Sequence, residues 1–169
     1  MSITDESHSP ASSGDSACLI CRKQRGEIDL PGGPIYSDEL VFACHAHLWD
    51  EKPDQYLGWL VLETRRHTPD LTSLTEQEAV QIGKMARLLA RTLKEELKAE
   101  KIYLFVIGEG IAHFHMHLLP RYPETPREYW GSRVDEWPGA PRGGERAIAE
   151  LSRNLGSCLN ASSSPRYSP

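Results

Sequence analysis

Three histidines alternate with apolar residues in one short segment, which reads H-F-H-M-H-L-L-P-R from His113 to Arg121. Because successive side chains of a β-strand point to opposite faces, the alternation predicts a strand with all three imidazoles on one face. A helix would distribute them around its circumference. Each imidazole carries a donor and an acceptor that need partners, so three of them are poor material for a core. The pattern indicates metal binding, or nucleophilic and proton-transfer chemistry near neutral pH.

The composition limits the class of protein. The 169 residues suffice for one domain with a substantial core. The formal net charge is −5, from 24 acidic and 19 basic residues, which does not favour a nucleic-acid-binding or membrane-surface protein. Apolar runs stay well short of the ~20 residues that a membrane span needs. The first residues lack the pattern of a secretory signal, and four cysteines are too few for a disulfide scaffold. We therefore expect a soluble, cytoplasmic protein.

The two ends of the chain differ in composition from its middle. Residues 1–16 are small and polar, and so is the tail at 160–169. Segments of this kind bury too little apolar surface to offset the entropy of ordering them. We predict that both ends are disordered and that residues 17–159 form a single domain.

The clearest predicted element is a long helix. Thr75 and Glu78 form a T-x-x-E capping box, and apolar residues then recur at helical spacing to about Lys101. The opposite face of this helix is charged. A second, shorter helix is predicted at 144–159.

Strands are predicted on both sides of the long helix. The apolar segments at 39–47, 57–64 and 102–107 have strand composition, as does the histidine segment. A tight turn at Gly108–Gly110 would join the last two strands in an antiparallel hairpin. Strands, one long helix and then more strands favour an α+β fold with an antiparallel meander sheet.

Cys18 and Cys21 form a C-x-x-C motif, which is compatible with half of a zinc site, a redox pair or chance. A thioredoxin-like redox pair needs a βαβ context that the neighbouring sequence does not show. A structural zinc site needs two more cysteine or histidine ligands. His67 and the histidine segment are the candidates.

Four separate elements occur in one recognisable order. They are the C-x-x-C motif, a strand of the form G-W-L-V-L at 58–62, the Arg65-Arg66-His67 sequence, and the H-φ-H-φ-H-φ-φ pattern that ends in Pro-Arg. This arrangement resembles the histidine-triad (HIT) superfamily of nucleotide hydrolases and transferases over about residues 18–121. The resemblance implies an α+β, HIT-like antiparallel sheet with one long and one shorter C-terminal helix. It also implies a homodimer with a continuous sheet.

The resemblance to zinc-bearing family members implies one structural zinc ion. Its implied ligands are two thiolates and two imidazoles, from Cys18, Cys21, His67 and His113. A site with four protein ligands is closed, so the metal would be structural and not catalytic.

The resemblance also implies the roles of the remaining triad residues. His115 matches the nucleophile. His117 matches the residue that contacts phosphate and supports the nucleophile. Gly108 and Gly110, with His117, are the implied nucleotide-binding residues. A neutral imidazole can attack the α-phosphorus and hold the nucleotide covalently, which divides one difficult displacement into two easier ones.

The turn before the triad departs from the family pattern. Many members have a glutamine and then a serine or threonine, where this chain has Glu109 and Gly110. Glu109 would be a catalytic general acid for the leaving group if its pKa is raised. The alternative is a solvated turn residue.

The implied activity is hydrolysis or transfer at the α-phosphate of a purine nucleotide conjugate, either a dinucleoside polyphosphate or a nucleoside phosphoramidate. The departures at 109–110 motivate an alternative, a zinc-stabilised nucleotide-binding module with little turnover. In a third hypothesis all three triad histidines bind a catalytic metal, but the cysteines then have no role.

Several other residues are predicted to lie outside the functional site. His45 and His47 also alternate on a strand, which is compatible with a second metal site or with the nucleotide pocket, but exposure at a strand end is expected. Cys44 and Cys158 are expected to behave as small apolar groups. The mixture of aromatic and basic residues at 127–137 is expected to pack over the core.

Overall fold

The computed structural model describes residues 16–46 and 53–163. The principal α-helices and β-strands follow in the order α1 (Leu19–Gln24), β1 (Tyr36–Ser37), β2 (Val41–His45), β3 (Gln55–Tyr56), β4 (Leu60–Thr64), α2 (Glu76–Glu96), β5 (Lys101–Phe105), β6 (His115–Arg121), β7 (Arg142–Gly143) and α3 (Glu145–Ser163). Within the described ranges, no helix combines the length and apolar character that a membrane crossing requires.

Five strands form one antiparallel sheet in the order β1-β2-β4-β6-β5. The short strands β3 and β7 form a separate antiparallel pair. The two longest helices both contact the main sheet and each other. The predicted α+β fold, with an antiparallel sheet, one long helix and a shorter C-terminal helix, is confirmed.

The pairing of β4 with β6 gives the sheet two chemically different faces. Leu62 lies opposite Met116 and Glu63 opposite His115. Since directly paired residues point to the same side of an antiparallel sheet, the even-numbered residues of β6 share a face with the leucines of β4. On that face Leu62 packs with Leu89 of α2 in the main core. The opposite face carries the histidines.

The long helix begins as predicted. The Thr75 hydroxyl accepts a hydrogen bond from the Glu78 N–H, and the Glu78 carboxylate accepts one from the Thr75 N–H, which completes the capping box. The helix ends at Glu96, however, and not near Lys101. Lys98 has a left-handed backbone with φ of 54°, and Lys101 already pairs with β6. The requirement to enter the sheet therefore ends the helix earlier than its apolar spacing indicates.

The C-terminal helix ends later than the sequence predicts. It continues to Ser163, beyond the expected end at 159, and so includes the first residues of the predicted 160–169 tail. Residues 164–169 and 1–15 lie outside the described residues.

The histidine segment differs from its prediction in two respects. The strand β6 begins at His115, so His113 precedes it, and the connection from β5 spans 106–114 instead of a tight three-residue turn. The Phe114 N–H donates to the Thr68 carbonyl oxygen at 2.5 Å, outside the β4–β6 ladder. This departure from the sheet brings His113 beside the segment that follows β4.

Candidate functional site

The structure brings the two cysteines of the C-x-x-C motif together with two distant histidines. One ligand atom from each of Cys18, Cys21, His67 and His113 lies within 4.8 Å of the other three. The His113 Nδ1 lies 3.5 Å from the Cys18 sulfur and 3.4 Å from the Cys21 sulfur. The His67 Nδ1 lies 3.4 Å from the Cys21 sulfur. In a tetrahedral zinc site the sulfur and nitrogen ligands are about 3.5 Å apart, so the arrangement fits zinc.

The orientation of His113 suits a metal ligand. Its Nε2 lies 2.9 Å from the Thr64 carbonyl oxygen, which can only accept, so Nε2 carries the proton. The unprotonated Nδ1 is left facing the sulfur atoms. A second hydrogen bond of this kind is how proteins commonly orient a ligating imidazole. Burial lowers the pKa of His113 to about 4, which keeps the ring neutral.

His115 is oriented by the backbone next to the triad strand. Its Nδ1 lies 2.7 Å from the His113 carbonyl oxygen, so Nδ1 carries the proton and donates it. The lone pair of the ring is therefore on Nε2. A neutral imidazole with a free lone pair is a competent nucleophile.

His117 makes a different contact. The indole Nε1 of Trp59, which precedes β4, donates to the His117 Nδ1 at 3.0 Å. The ring of His117 is perpendicular to that of His115, with 5.0 Å between their centroids. Burial, and then the charges of His115 and Lys23, lower the pKa of His117 to about 4.

A cavity of about 400 Å³ opens on the histidine face of the sheet. Its walls come from α1, β4, β6 and the connection between β5 and β6. His115 and His117 line it together with Trp59, and so do the predicted turn residues Gly108, Glu109 and Gly110. Glu109 is exposed at the rim. The residues predicted for catalysis and nucleotide binding thus border one cavity.

A buried ion pair, which no sequence motif predicts, forms part of the same cavity wall. Lys23 of α1 pairs with Glu63 of β4, and Gln24 donates a second hydrogen bond to Glu63. The side chain of Glu63 is fully buried and that of Lys23 is 9% exposed. Burial alone would lower the pKa of Lys23, but Cys44 and the Glu63 carboxylate raise it. The sequence signal for this pair was Glu63, a carboxylate within the apolar run L-G-W-L-V-L-E-T.

His45, Cys44 and Cys158 lie outside both the metal cluster and the cavity. His45 is buried, and the expectation that it is exposed is wrong: its Nδ1 donates to the Ala46 carbonyl oxygen and its Nε2 accepts from the Gly58 N–H. His47 lies outside the described residues. Cys44 is buried, as expected, and burial raises its pKa to about 12. Cys158 is half-buried on α3.

The aromatic and basic segment after β6 packs over one end of the sheet, as expected. Val134 is fully buried and Trp137 packs on the same apolar cluster. Trp130 is partly exposed, with the Arg121 guanidinium 3.9 Å above its ring.

The model of the HIT domain matches residues 29–124, more than half of the chain. The chain belongs to the HIT family. The matched region includes His67 and the whole triad, whereas Cys18 and Cys21 precede it.

A curated protein shares part of the sequence, and solved structures share the fold. "Protein hit" from Bacillus subtilis is 26% identical over an alignment of 129 residues, which covers 71% of this chain and 83% of that protein. A zinc-bound histidine triad family protein from Mycobacterium smegmatis superposes with a TM-score of 0.64 at 17% identity, over 88% of this chain and 99% of that one. A hypothetical histidine triad nucleotide-binding protein from Sulfolobus tokodaii gives a TM-score of 0.65 at 18% identity, over 90% and 100%.

Proposed function

We propose that this HIT protein cleaves or transfers at the α-phosphate of a purine nucleotide conjugate through a covalent intermediate on His115. The substrate class is a dinucleoside polyphosphate or a nucleoside phosphoramidate. The observation that carries the proposal is the hydrogen bond from the His115 Nδ1–H to the His113 carbonyl oxygen at 2.7 Å. It leaves the Nε2 lone pair as the nucleophile, in a cavity with room for a nucleotide.

Nucleotide binding is supported by the composition of the cavity and by the family. Gly108, Gly110 and His117 border the cavity beside His115. Backbone N–H groups of a glycine-containing turn and a neutral imidazole are suitable donors to phosphate oxygens. A solved relative from Sulfolobus tokodaii is described as nucleotide-binding. We assign phosphate binding to these three residues.

We assign a structural zinc ion to Cys18, Cys21, His67 and His113. The separations of their ligand atoms and the hydrogen bond that orients His113 support the assignment. A solved relative from Mycobacterium smegmatis is described as zinc-bound. The metal would hold the chain around α1 against His113, and it would take no part in bond breaking.

We also propose a homodimer with a continuous sheet. β5 has one neighbour in the five-stranded sheet, β6, so its other edge is open among the described residues. Leu104 and Val106, on and just after this strand, are exposed. An open edge with exposed apolar side chains is suited to pairing with a second copy.

The substitution His115→Asn tests the proposed reaction. Removal of the nucleophile should lower kcat by at least ~10³-fold, as loss of a nucleophile does in other covalent enzymes. The measurement is steady-state turnover of an adenosine dinucleoside polyphosphate, with circular dichroism and nucleotide affinity as controls for folding and binding. Turnover at the wild-type rate would contradict the proposal. Tight nucleotide binding without turnover in the wild type would favour the non-enzymatic binding module.

A further inference from the structure

Trp59 and His117 form a contact with a fixed direction. The indole Nε1 and the His117 Nδ1 are 3.0 Å apart, and the two rings are inclined at 72° with 5.7 Å between centroids. An indole N–H can only donate a hydrogen bond. The His117 Nδ1 must therefore be the acceptor and cannot carry a proton while the contact persists.

This contact determines the tautomer of His117. A neutral imidazole has one proton, so an unprotonated Nδ1 places that proton on Nε2. His115 has the opposite tautomer, with its proton on Nδ1 and its lone pair on Nε2. His115 thus offers its Nε2 lone pair to the cavity, and His117 offers its Nε2–H to the same cavity.

A second proton on His117 would have to bind Nδ1, which already accepts the indole N–H. The ionisable groups that line this cavity are Lys23 from α1, Glu63 from β4, His115 from β6, and Glu109 from the connection before β6. Glu63 is paired with Lys23, and Glu109 is exposed. Protonation of His117 would need its Nδ1 to lose the indole hydrogen bond.

We propose that Trp59 is a positioning residue that holds His117 as a neutral Nε2–H donor. We further propose that this arrangement selects substrates whose leaving group departs as a phosphate oxyanion, over substrates whose leaving group is an amine. The second statement rests on the proposed function, whereas the first does not.

The chemistry of the first step connects the tautomer to the leaving group. The His115 Nε2 lone pair forms the N–P bond, the bond from phosphorus to the leaving group breaks, and its electron pair goes to the leaving atom. A terminal phosphate oxygen carries that pair as an ordinary oxyanion, which the His117 N–H can stabilise without transferring a proton. An amine nitrogen needs a proton to depart, and a neutral imidazole N–H is too weak an acid to supply it.

The wild-type protein tests the tautomer directly. Nitrogen-15 NMR of the His117 side chain should show a protonated Nε2 and an unprotonated Nδ1 at neutral pH. Trp59→Phe keeps an aromatic ring but removes the donor, so a mixture of both tautomers is expected in that variant. A proton on Nδ1 in the wild type, or an unchanged tautomer in the variant, would overturn the positioning role. The wild-type spectrum tests the tautomer even if the protein shows no turnover or the variant does not fold.

Two substrates with the same nucleotide test the selection. We expect the wild type to prefer an adenosine dinucleoside polyphosphate over an adenosine phosphoramidate by at least ~100-fold in kcat/KM, the usual minimum contribution of general acid catalysis. In Trp59→Phe the kcat for the polyphosphate should fall about 10-fold because the donor is misoriented. The phosphoramidate should lose less than about two-fold, because His117 can then accept a proton at Nδ1 and act as an acid.

Trp130→Phe is the matched control. It removes an indole N–H that donates to the Thr125 carbonyl oxygen at 2.9 Å, and Trp130 does not line the cavity. Both substrates should react with this variant at wild-type rates. Equal losses on the two substrates in Trp59→Phe would refute the selection. If no nucleotide adduct forms on His115 at all, the proposed function fails, but the tautomer result still stands.

Discussion

Glu109 brings a negative charge to the rim of a cavity that, under the proposed function, must accept a polyanion. The side chain is exposed on the connection before the triad. An exposed carboxylate at this position repels phosphate groups, and the effect is screened over about 10 Å at 0.1 M ionic strength. Because its side chain is exposed, we expect Glu109 to act as a solvated turn residue and not as the catalytic acid that the sequence also allows.

The substitution Glu109→Gln should raise kcat/KM about two- to five-fold at low salt, because one repulsive charge is removed. The gain should shrink as salt is added and should be the same for good and poor leaving groups. The measurement is a salt series with both substrate types.

Glu39→Gln is the control for this series, since it removes an exposed carboxylate from the turn before β2, away from the cavity. It should leave the rate unchanged. A slower reaction of Glu109→Gln with poor leaving groups only, typically by 10²- to 10⁴-fold, would instead establish Glu109 as the general acid.

Some residues of the candidate site could be identified from the sequence, and others could not. The histidines and cysteines were identifiable because few structural roles need those residue types in those patterns. Trp59 and Lys23 were not, because a tryptophan or lysine in a sequence is usually explained by packing or solvation. Only the strand register and the fold of α1 against β4 bring Trp59 to His117 and Lys23 to Glu63.

At the scale of elements, the stability of helix α1 depends most on contacts with other parts of the chain. It has six residues, too few for an isolated helix to persist in water. It is held by the Lys23–Glu63 pair, by Gln24, which donates to the Thr64 carbonyl oxygen at 3.0 Å, and by the cysteines beside His67 and His113. Loss of the metal would remove one of these three attachments.

We expect the protein to contain one zinc ion for each chain. A strong chelator should lower the melting temperature by roughly 5 °C or more, because metal binding to folded ligands adds to the stability of the fold. The measurements are elemental analysis and thermal unfolding with and without chelator.

Two cysteine variants complete the test of the metal site. Cys18→Ser should lose zinc and most of its response to chelator. Cys158→Ser, which changes a half-buried cysteine on α3, should keep both. Purified protein with reduced cysteines and no zinc would contradict the site.

The types of the longer elements followed from the sequence, whereas their boundaries often did not. The capping box fixed the start of α2, since both hydrogen bonds are local. The end of α2, the start of β6 and the nine-residue connection before it depend on sheet pairing and on contacts distant in sequence. The shortest strands, β1, β3 and β7, have no pattern of their own and exist because a neighbouring strand pairs with them.

At the scale of the whole molecule, the edge of β5 that has no partner strand among the described residues determines the proposed assembly. We expect sedimentation equilibrium at micromolar concentration to show a dimer. Leu104→Lys places a charge on the exposed edge strand and should give a monomer. Val80→Lys is the control, because it adds the same charge at a similarly exposed apolar position on α2. A wild-type monomer, or equal dissociation of both variants, would contradict the continuous sheet.

The central claim is a covalent nucleotide on His115. The most direct measurement is intact-protein mass spectrometry after rapid quenching of the wild type with an excess of an adenosine dinucleoside polyphosphate, followed by peptide mapping. We predict a mass increase of one adenylyl group, which is adenosine monophosphate less one water, located on the peptide that carries the triad and absent from His115→Asn. Turnover of the substrate with no adduct at any quench time, or an adduct that persists in His115→Asn, would contradict the account.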